Sequence, residues 1–181
     1  MPMVTISMRN IIALSAILLV CVAGYYFFHV GSGQLRLTDE YHTLDRTLSI
    51  GTHGEWLAVY TENQVSFKKP PLQYWISAIA LDMGVPQLTA LRLPSLVAAL
   101  LLLPLIAILT EQLVRRSPFT VFFAPLFLAG SEHFWRSAMS ALLDQGSVLF
   151  ATSALVGSFL ALRNPKWWYL VAVMCGLSAL Q

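Results

Sequence analysis

The sequence predicts an all-α protein of the polytopic membrane class, and three observations predict it. Hydrophobic residues make up 57% of the 181 positions and charged residues 11%, where a soluble domain carries about 25% charged. Mean hydropathy is +0.68. The apolar residues gather into long runs, several close to the roughly 20 residues that cross a bilayer core as helix. A net charge of +2 with no basic arm excludes nucleic acid as a partner class. Cys21 and Cys175 both lie inside apolar runs and read as small buried hydrophobes, not as a disulfide or metal ligands.

Each element follows from its run. Residues 11–30 form a first span that ends in the belt Tyr25-Tyr26-Phe27-Phe28. The run is longer than the core of a cleaved signal, about 7–15 residues, so it reads as uncleaved. Residues 32–87 form the outer loop, of which 32–70 is the one substantial polar segment. Within it, Thr38-Asp39-Glu40 resembles a helix start, with acids where the helix dipole favours them. Tyr41, Leu44 and Leu48 recur at helical spacing, so residues 39–50 read as a short amphipathic helix closed by Gly51-Thr52-His53-Gly54. Residues 55–66 read as irregular.

Pro70-Pro71 starts a second juxtamembrane helix over 71–83, too short to span and suited to lying on the membrane surface. Gly84-Val85-Pro86 breaks it. Spans follow over 88–114, 118–135 (the least regular), 142–162 and 166–181, which makes about five in a single transmembrane domain over 1–181.

Charge selects the topology. If 71–83 stays on the surface, Arg9, Arg115, Arg116, Arg163 and Lys166 all fall on one side, which the positive-inside rule makes cytoplasmic. If it crossed, Arg115-Arg116 and the Arg163/Lys166 loop would sit opposite Arg9. The first topology puts the N-terminus in the cytoplasm. It gathers Asp39-Glu40, Lys68-Lys69, Glu132-His133, Arg136 and Asp144 on the outer face.

Several of these residues carry two readings. Lys68-Lys69 before Pro70-Pro71 puts full charges beside a helix start, where anions bind readily; the pair equally suits lipid headgroups. Asp39 is an N-cap or a base held near an apolar boundary, and Asp144 is an N-cap or a functional acid. Glu40 reads as a solvated first-turn acid. Arg136 suits a phosphate or a headgroup. Tyr74 and Trp75 suit interfacial anchoring or the lining of a groove. His42, His53 and His133 lack a ligand spacing such as His-x-x-x-His, so no metal site is expected.

Asp39-Glu40, Gly54-Glu55-Trp56, Phe67-Lys68-Lys69-Pro70-Pro71-Leu72-Gln73-Tyr74-Trp75, Arg92-Leu93-Pro94-Ser95 and Leu142-Leu143-Asp144 together resemble the polyprenyl-phosphate-dependent glycosyltransferases of the GT-C fold. The likeness is to their aminoarabinose transferase and protein mannosyltransferase branch. It implies a sugar donor linked to polyprenyl phosphate and a lipid, protein or glycan acceptor. It also implies a multi-pass location, as in a bacterial inner membrane, with the active site outside. The resemblance implies that Asp39 is the catalytic base or an acceptor-orienting group, Asp144 a second acid of the cavity, and Lys69 the donor-phosphate ligand, with Lys68 and Arg136 contributing positive charge. Glu40, His42 and Tyr74 support them. The cofactor is left unknown: some relatives hold a divalent metal through an acid where this chain has Lys68, and His42 replaces a common arginine. Members have more than ten spans, so the resemblance implies an N-terminal fragment. The competing function is a non-catalytic lipid-phosphate-binding or structural membrane module.

Overall fold

The computed structural model describes residues 8–35, 38–62, 64–114 and 118–181. Among them the chain is all-α apart from one small hairpin. Helix α1 (Met8–His29) turns into α2 (Thr38–His53). The antiparallel hairpin β1 (Val59–Thr61) and β2 (Gln64–Ser66) follows, with Tyr60 opposite Val65. Then come α3 (Leu72–Asp82), α4 (Gln87–Val114), α5 (Pro118–Ala129), α6 (Glu132–Ala138), α7 (Asp144–Ala161) and α8 (Trp167–Ala179). By length and composition, α4 is able to cross a membrane, with a mean hydropathy of 2.5 over its apolar window. Arg115 and Arg116 lie outside the described residues.

Helix α4 is the centre of the packing. Its Leu96, Ala99, Leu102 and Leu103 meet Val30 after α1 and Phe134, Trp135 and Ala138 of α6. Tyr26 stacks on Trp135 with centroids 3.8 Å apart and planes at 10°. Ser95 Oγ donates to the Leu142 carbonyl at 2.7 Å, fixing the start of α7 beside the start of α4. Helices α7 and α8 run antiparallel through small residues. A Cβ on Gly157 would stand 3.0 Å from Val171 Cγ2, and one on Gly146 would collide with Gln181. Glycine permits that approach, the usual device where apolar helices pack without a solvent drive.

A buried ion pair joins these parts. Glu40 is 2% exposed and Arg92 5%, with Arg92 Nε 3.2 Å from Glu40 Oε1. The same carboxylate oxygen accepts the Ala141 amide at 3.1 Å. The remaining face of the guanidinium donates to the carbonyls of Val30, Ser32 and Gln34. Glu40 is therefore a core acid, not a solvated one. Its charge is stabilised there because Arg92 and the Ala141 amide replace water.

Other expectations are corrected as well. Residues 55–66 are not all irregular: α2 holds the hairpin through three polar contacts. Ser49 Oγ accepts the Tyr60 amide at 3.0 Å, Asp45 Oδ2 accepts the Glu62 amide at 2.8 Å, and Arg46 Nε donates to Thr61 Oγ1 at 3.0 Å. The polarity of α2 is partly inverted. Its apolar Tyr41 and Leu48 are exposed, while Thr43, Arg46, Thr47 and Ser49 are buried together with Ile50. The run expected over 118–135 is two helices. Gly130 donates back to Leu126, and Ser131 at φ −81°, ψ 121° starts α6 as its cap. Cys21 and Cys175 are exposed, not buried, because an apolar run fixes the helix but not which of its faces is covered.

Helix α3 begins at Leu72 and closes on Gly84 at φ +81°. There the Gly84 amide donates to Leu81 and the Val85 amide to Ala80, a Schellman ending that needs a left-handed residue. Its Tyr74 is fully buried among Ile50, Val59, Ala78 and Leu143, so it lines no groove. The hydroxyl accepts Arg46 Nη1 at 3.1 Å, and the guanidinium stands 5.7 Å from the ring centroid. Burial raises the Tyr74 pKa above the ordinary tyrosine value, against the opposing pull of Arg46.

Two outcomes follow for stability. Removing one partner of a buried pair costs about 3–5 kcal/mol. Arg92→Met should therefore lower the melting temperature strongly in detergent, and adding Glu40→Gln should recover part of the loss, since it removes the stranded charge. A double variant no better than Arg92→Met would show that the pair is not the source. For Tyr74 the folded state keeps its proton where the unfolded chain loses it. The contribution is full below the unfolded value, about 10, and is lost as pH rises through the folded one. Above about pH 10 the melting temperature of the parent should fall more steeply than that of Tyr74→Phe; equal slopes there would remove Tyr74 from the account.

Candidate active site

At one end of the bundle the chain brings the starts of α2, α3 and α7 together. Two sets of bonds do this. The Glu40 carboxylate in the first turn of α2 accepts the Ala141 amide, three residues before α7 begins. Gln181 Nε2 donates to both Gln73 Oε1 in α3 and the Leu143 carbonyl before α7, each at 3.1 Å. The Leu72 amide donates to the Leu180 carbonyl at 3.0 Å. One amide of the α3 start is thus already bonded within the chain and is not open to an anion.

The sequence-predicted residues distribute around this junction. Asp39 is exposed in the first turn of α2, inside the helix and not at its cap. Its charge adds a minor upward push to the pKa of the buried Tyr74 hydroxyl, behind burial and Arg46. His42 is half-buried in the next turn. Lys69 is half-buried and Lys68 exposed in the segment entering α3. Asp144 is exposed as the first residue of α7, where the cap is Leu143 without a side-chain bond. It sits between two fixed neighbours: the Leu143 carbonyl accepts Gln181, and the buried Gln145 Nε2 donates to the Phe134 carbonyl at 3.2 Å.

A cleft of about 1010 Å³ opens beside the junction, between α1 and α6. Glu40 and Arg136 line it; Asp39, Lys68, Lys69 and Asp144 do not. Arg136 is exposed and lies 3.6 Å from Glu132 one turn earlier. Of the residues that the sequence reading grouped around a donor phosphate, Arg136 lines this cleft and the two lysines do not.

Among the described residues no three His, Cys, Asp or Glu side chains gather as metal ligands, and Lys68 brings a cation to the position where some relatives carry a ligating acid. These residues do not fit a metal, and no step is routed through one. Sequence reasoning missed Arg46 and gave no bonding role to Gln73, Gln181 or Arg92, of which Gln73 and Arg92 entered only within the motifs of the resemblance. A lone arginine six residues into a long apolar helix was the available signal, since such a residue normally has a specific partner.

The dolichyl-phosphate-mannose-protein mannosyltransferase family matches residues 68–181. The matched stretch holds Lys68, Lys69, Tyr74, Arg92, Arg136 and Asp144 and leaves Asp39, Glu40 and His42 outside. No curated protein and no solved structure matches the chain. The family match covers well over half of the sequence and joins a helical, apolar fold to the Lys-Lys-Pro-Pro segment and the α7 acid. The chain belongs to the dolichyl-phosphate-mannose-protein mannosyltransferase family, a family of membrane glycosyltransferases.

Proposed function

We propose that the chain forms the acceptor- and donor-handling end of a multi-span membrane enzyme that moves a sugar from a polyprenyl-phosphate carrier to a lipid, protein or glycan acceptor. The single observation that carries this reading is the tying of the α2, α3 and α7 starts by Glu40, Gln73 and Gln181. It supports a common site by tying α2, which carries Asp39, to α7, which carries Asp144, and α7 to α3, whose start lies three residues after Lys69. In the proposed step an acceptor hydroxyl or amine gives its proton to Asp39 and attacks the anomeric carbon. The bond from that carbon to the phosphate oxygen breaks, and the phosphate leaves with the electron pair. Lys69 neutralises the charge that grows on the leaving oxygen. One displacement inverts the anomeric centre. Asp144 orients the acceptor from the α7 side.

The membrane arrangement is part of the same reading. Helices α1, α4 and α7 span, α5 with α6 makes a broken crossing between α4 and α7, α8 begins a further one, and α2 with α3 lies at the outer boundary. The partly inverted polarity of α2 supports this, as does α3, where Gln73 and Ser77 are buried while Ile76, Ile79 and Met83 are exposed. Arg9, Arg163 and Lys166 then share the cytoplasmic side with Arg115 and Arg116.

Asp39→Asn in the complete enzyme should cut turnover about 10²–10⁴-fold, the range of a lost general base, while donor binding stays near normal. Lys69→Ala should raise the KM for donor and also slow transfer. Sugar transfer from radiolabelled polyprenyl-phosphate donor reads both, and normal rates in both variants would sink the assignment. Cysteines placed singly at 69 and 166, in a background lacking Cys21 and Cys175, test the topology. Membrane-impermeant maleimide should reach position 69 alone from outside; labelling of both from the same side would overturn the arrangement.

A further inference from the structure

The cleft between α1 and α6 has a chemistry that the proposed transfer does not use. One wall is apolar: Cys21, Val22, Tyr25 and Tyr26, all in the second half of α1. Trp135 and Met139 face them. The volume, about 1010 Å³, stands at the upper end of the range for ligand sites. At the mouth Arg136 and Glu132 lie 3.6 Å apart, both mostly exposed. At the floor Arg92 and Glu40 are paired at 3.2 Å and bound to main chain. The lining thus carries two cations and two anions.

That balance decides the ligand. A purely anionic head would be drawn to Arg136 and repelled by Glu132 at almost the same range. A head with phosphate and ammonium close together satisfies both: phosphate takes the guanidinium fork and ammonium takes the carboxylate. An exposed ion pair contributes little by itself, so the ligand's charges replace it readily. We propose that this cleft binds a zwitterionic phospholipid of the phosphoethanolamine kind, its head between Arg136 and Glu132 and its hydrocarbon against Tyr25, Tyr26 and Trp135. The inference rests on the membrane reading above and adds a second lipid site, separate from the lysine segment.

Native mass spectrometry of the complete protein in detergent tests it. The protein is offered equal amounts of phosphatidylethanolamine and phosphatidylglycerol with identical chains. The parent should retain the ethanolamine lipid over the glycerol lipid by about tenfold. Arg136→Glu and Glu132→Arg should each erase that preference, and the combined swap should restore most of it. Tyr25→Ala should lower retention of both lipids while keeping their ratio. Equal retention by the parent, preference for the anionic lipid, or a preference that neither rim variant moves would each overturn the proposal; unchanged retention in Tyr25→Ala would overturn the seating of the chain. Sugar transfer measured on the same preparations reports on the Asp39 and Lys69 site, so failure of one reading is told apart from failure of the other.

Discussion

Arg92 donates to four acceptors: the Glu40 carboxylate of α2, and the carbonyls of Val30, Ser32 and Gln34 in the stretch that leaves α1. The chain leaving α1 has no regular structure there, and its carbonyls need donors once they are shielded from water. A planar guanidinium serves them because its donors diverge in one plane; a lysine at the same place would offer a single point charge. Glu40 then completes the network by taking the Ala141 amide. A buried pair is weak evidence for stability by itself, since desolvation offsets much of its attraction. Its value here is registry. Only one relative placement of the α1 exit, α2, α4 and the approach to α7 satisfies all of its bonds.

That registry explains the partly inverted polarity of the loop helices. A surface helix in water turns its apolar stripe to the core. Helix α2 instead buries Glu40, Thr43, Arg46, Thr47 and Ser49 and shows Tyr41 and Leu48 outward. Its inward groups are matched one by one: Arg46 to Thr61 and Tyr74, Ser49 to the Tyr60 amide, Glu40 to Arg92. The interior at this end is a polar network beside a small apolar cluster that takes Ile50 from α2, and Tyr41 and Leu48 are left for whatever surrounds the protein. For the lipid boundary proposed above, that surrounding is itself apolar, and the exposure of Tyr41, Leu48, Ile76 and Ile79 carries no penalty.

The helices were legible in the sequence because their cause is local. Run length and the breaks at Gly54, Gly84 and Pro86 set α1 to α4 and α7 to α8 close to where they stand, and the acids at 39–40 marked the start of α2. What was not legible depends on partners far away in the chain. The apolar period of α2 was read correctly as helical, but periodicity says nothing of which face is inward when the solvent is not water. The hairpin hangs on Ser49, Asp45 and Arg46, none of which is local to it. Glu40 needed Arg92, 52 residues on. The break at Gly130-Ser131 was written in the sequence as a glycine beside a capping residue, and the apolar run around it concealed the signal.

The same separation of roles runs through the candidate site. Asp39 and Asp144 are exposed, and each adjoins a residue that is buried and bonded: Glu40 to Arg92 and Ala141, Gln145 to the Phe134 carbonyl. Lys69 enters a helix whose first turn is fixed through Leu72 and Gln73. A charge that must meet a substrate cannot also be neutralised by the fold, yet its backbone has to be held within a fraction of an ångström of a productive position. Placing the anchor on the adjacent or nearby residue meets both demands. Chemistry stays available at the surface while the neighbouring side chain supplies the rigidity. On this view the Asp-Glu pair divides its labour, one carboxylate for the substrate and one for the scaffold.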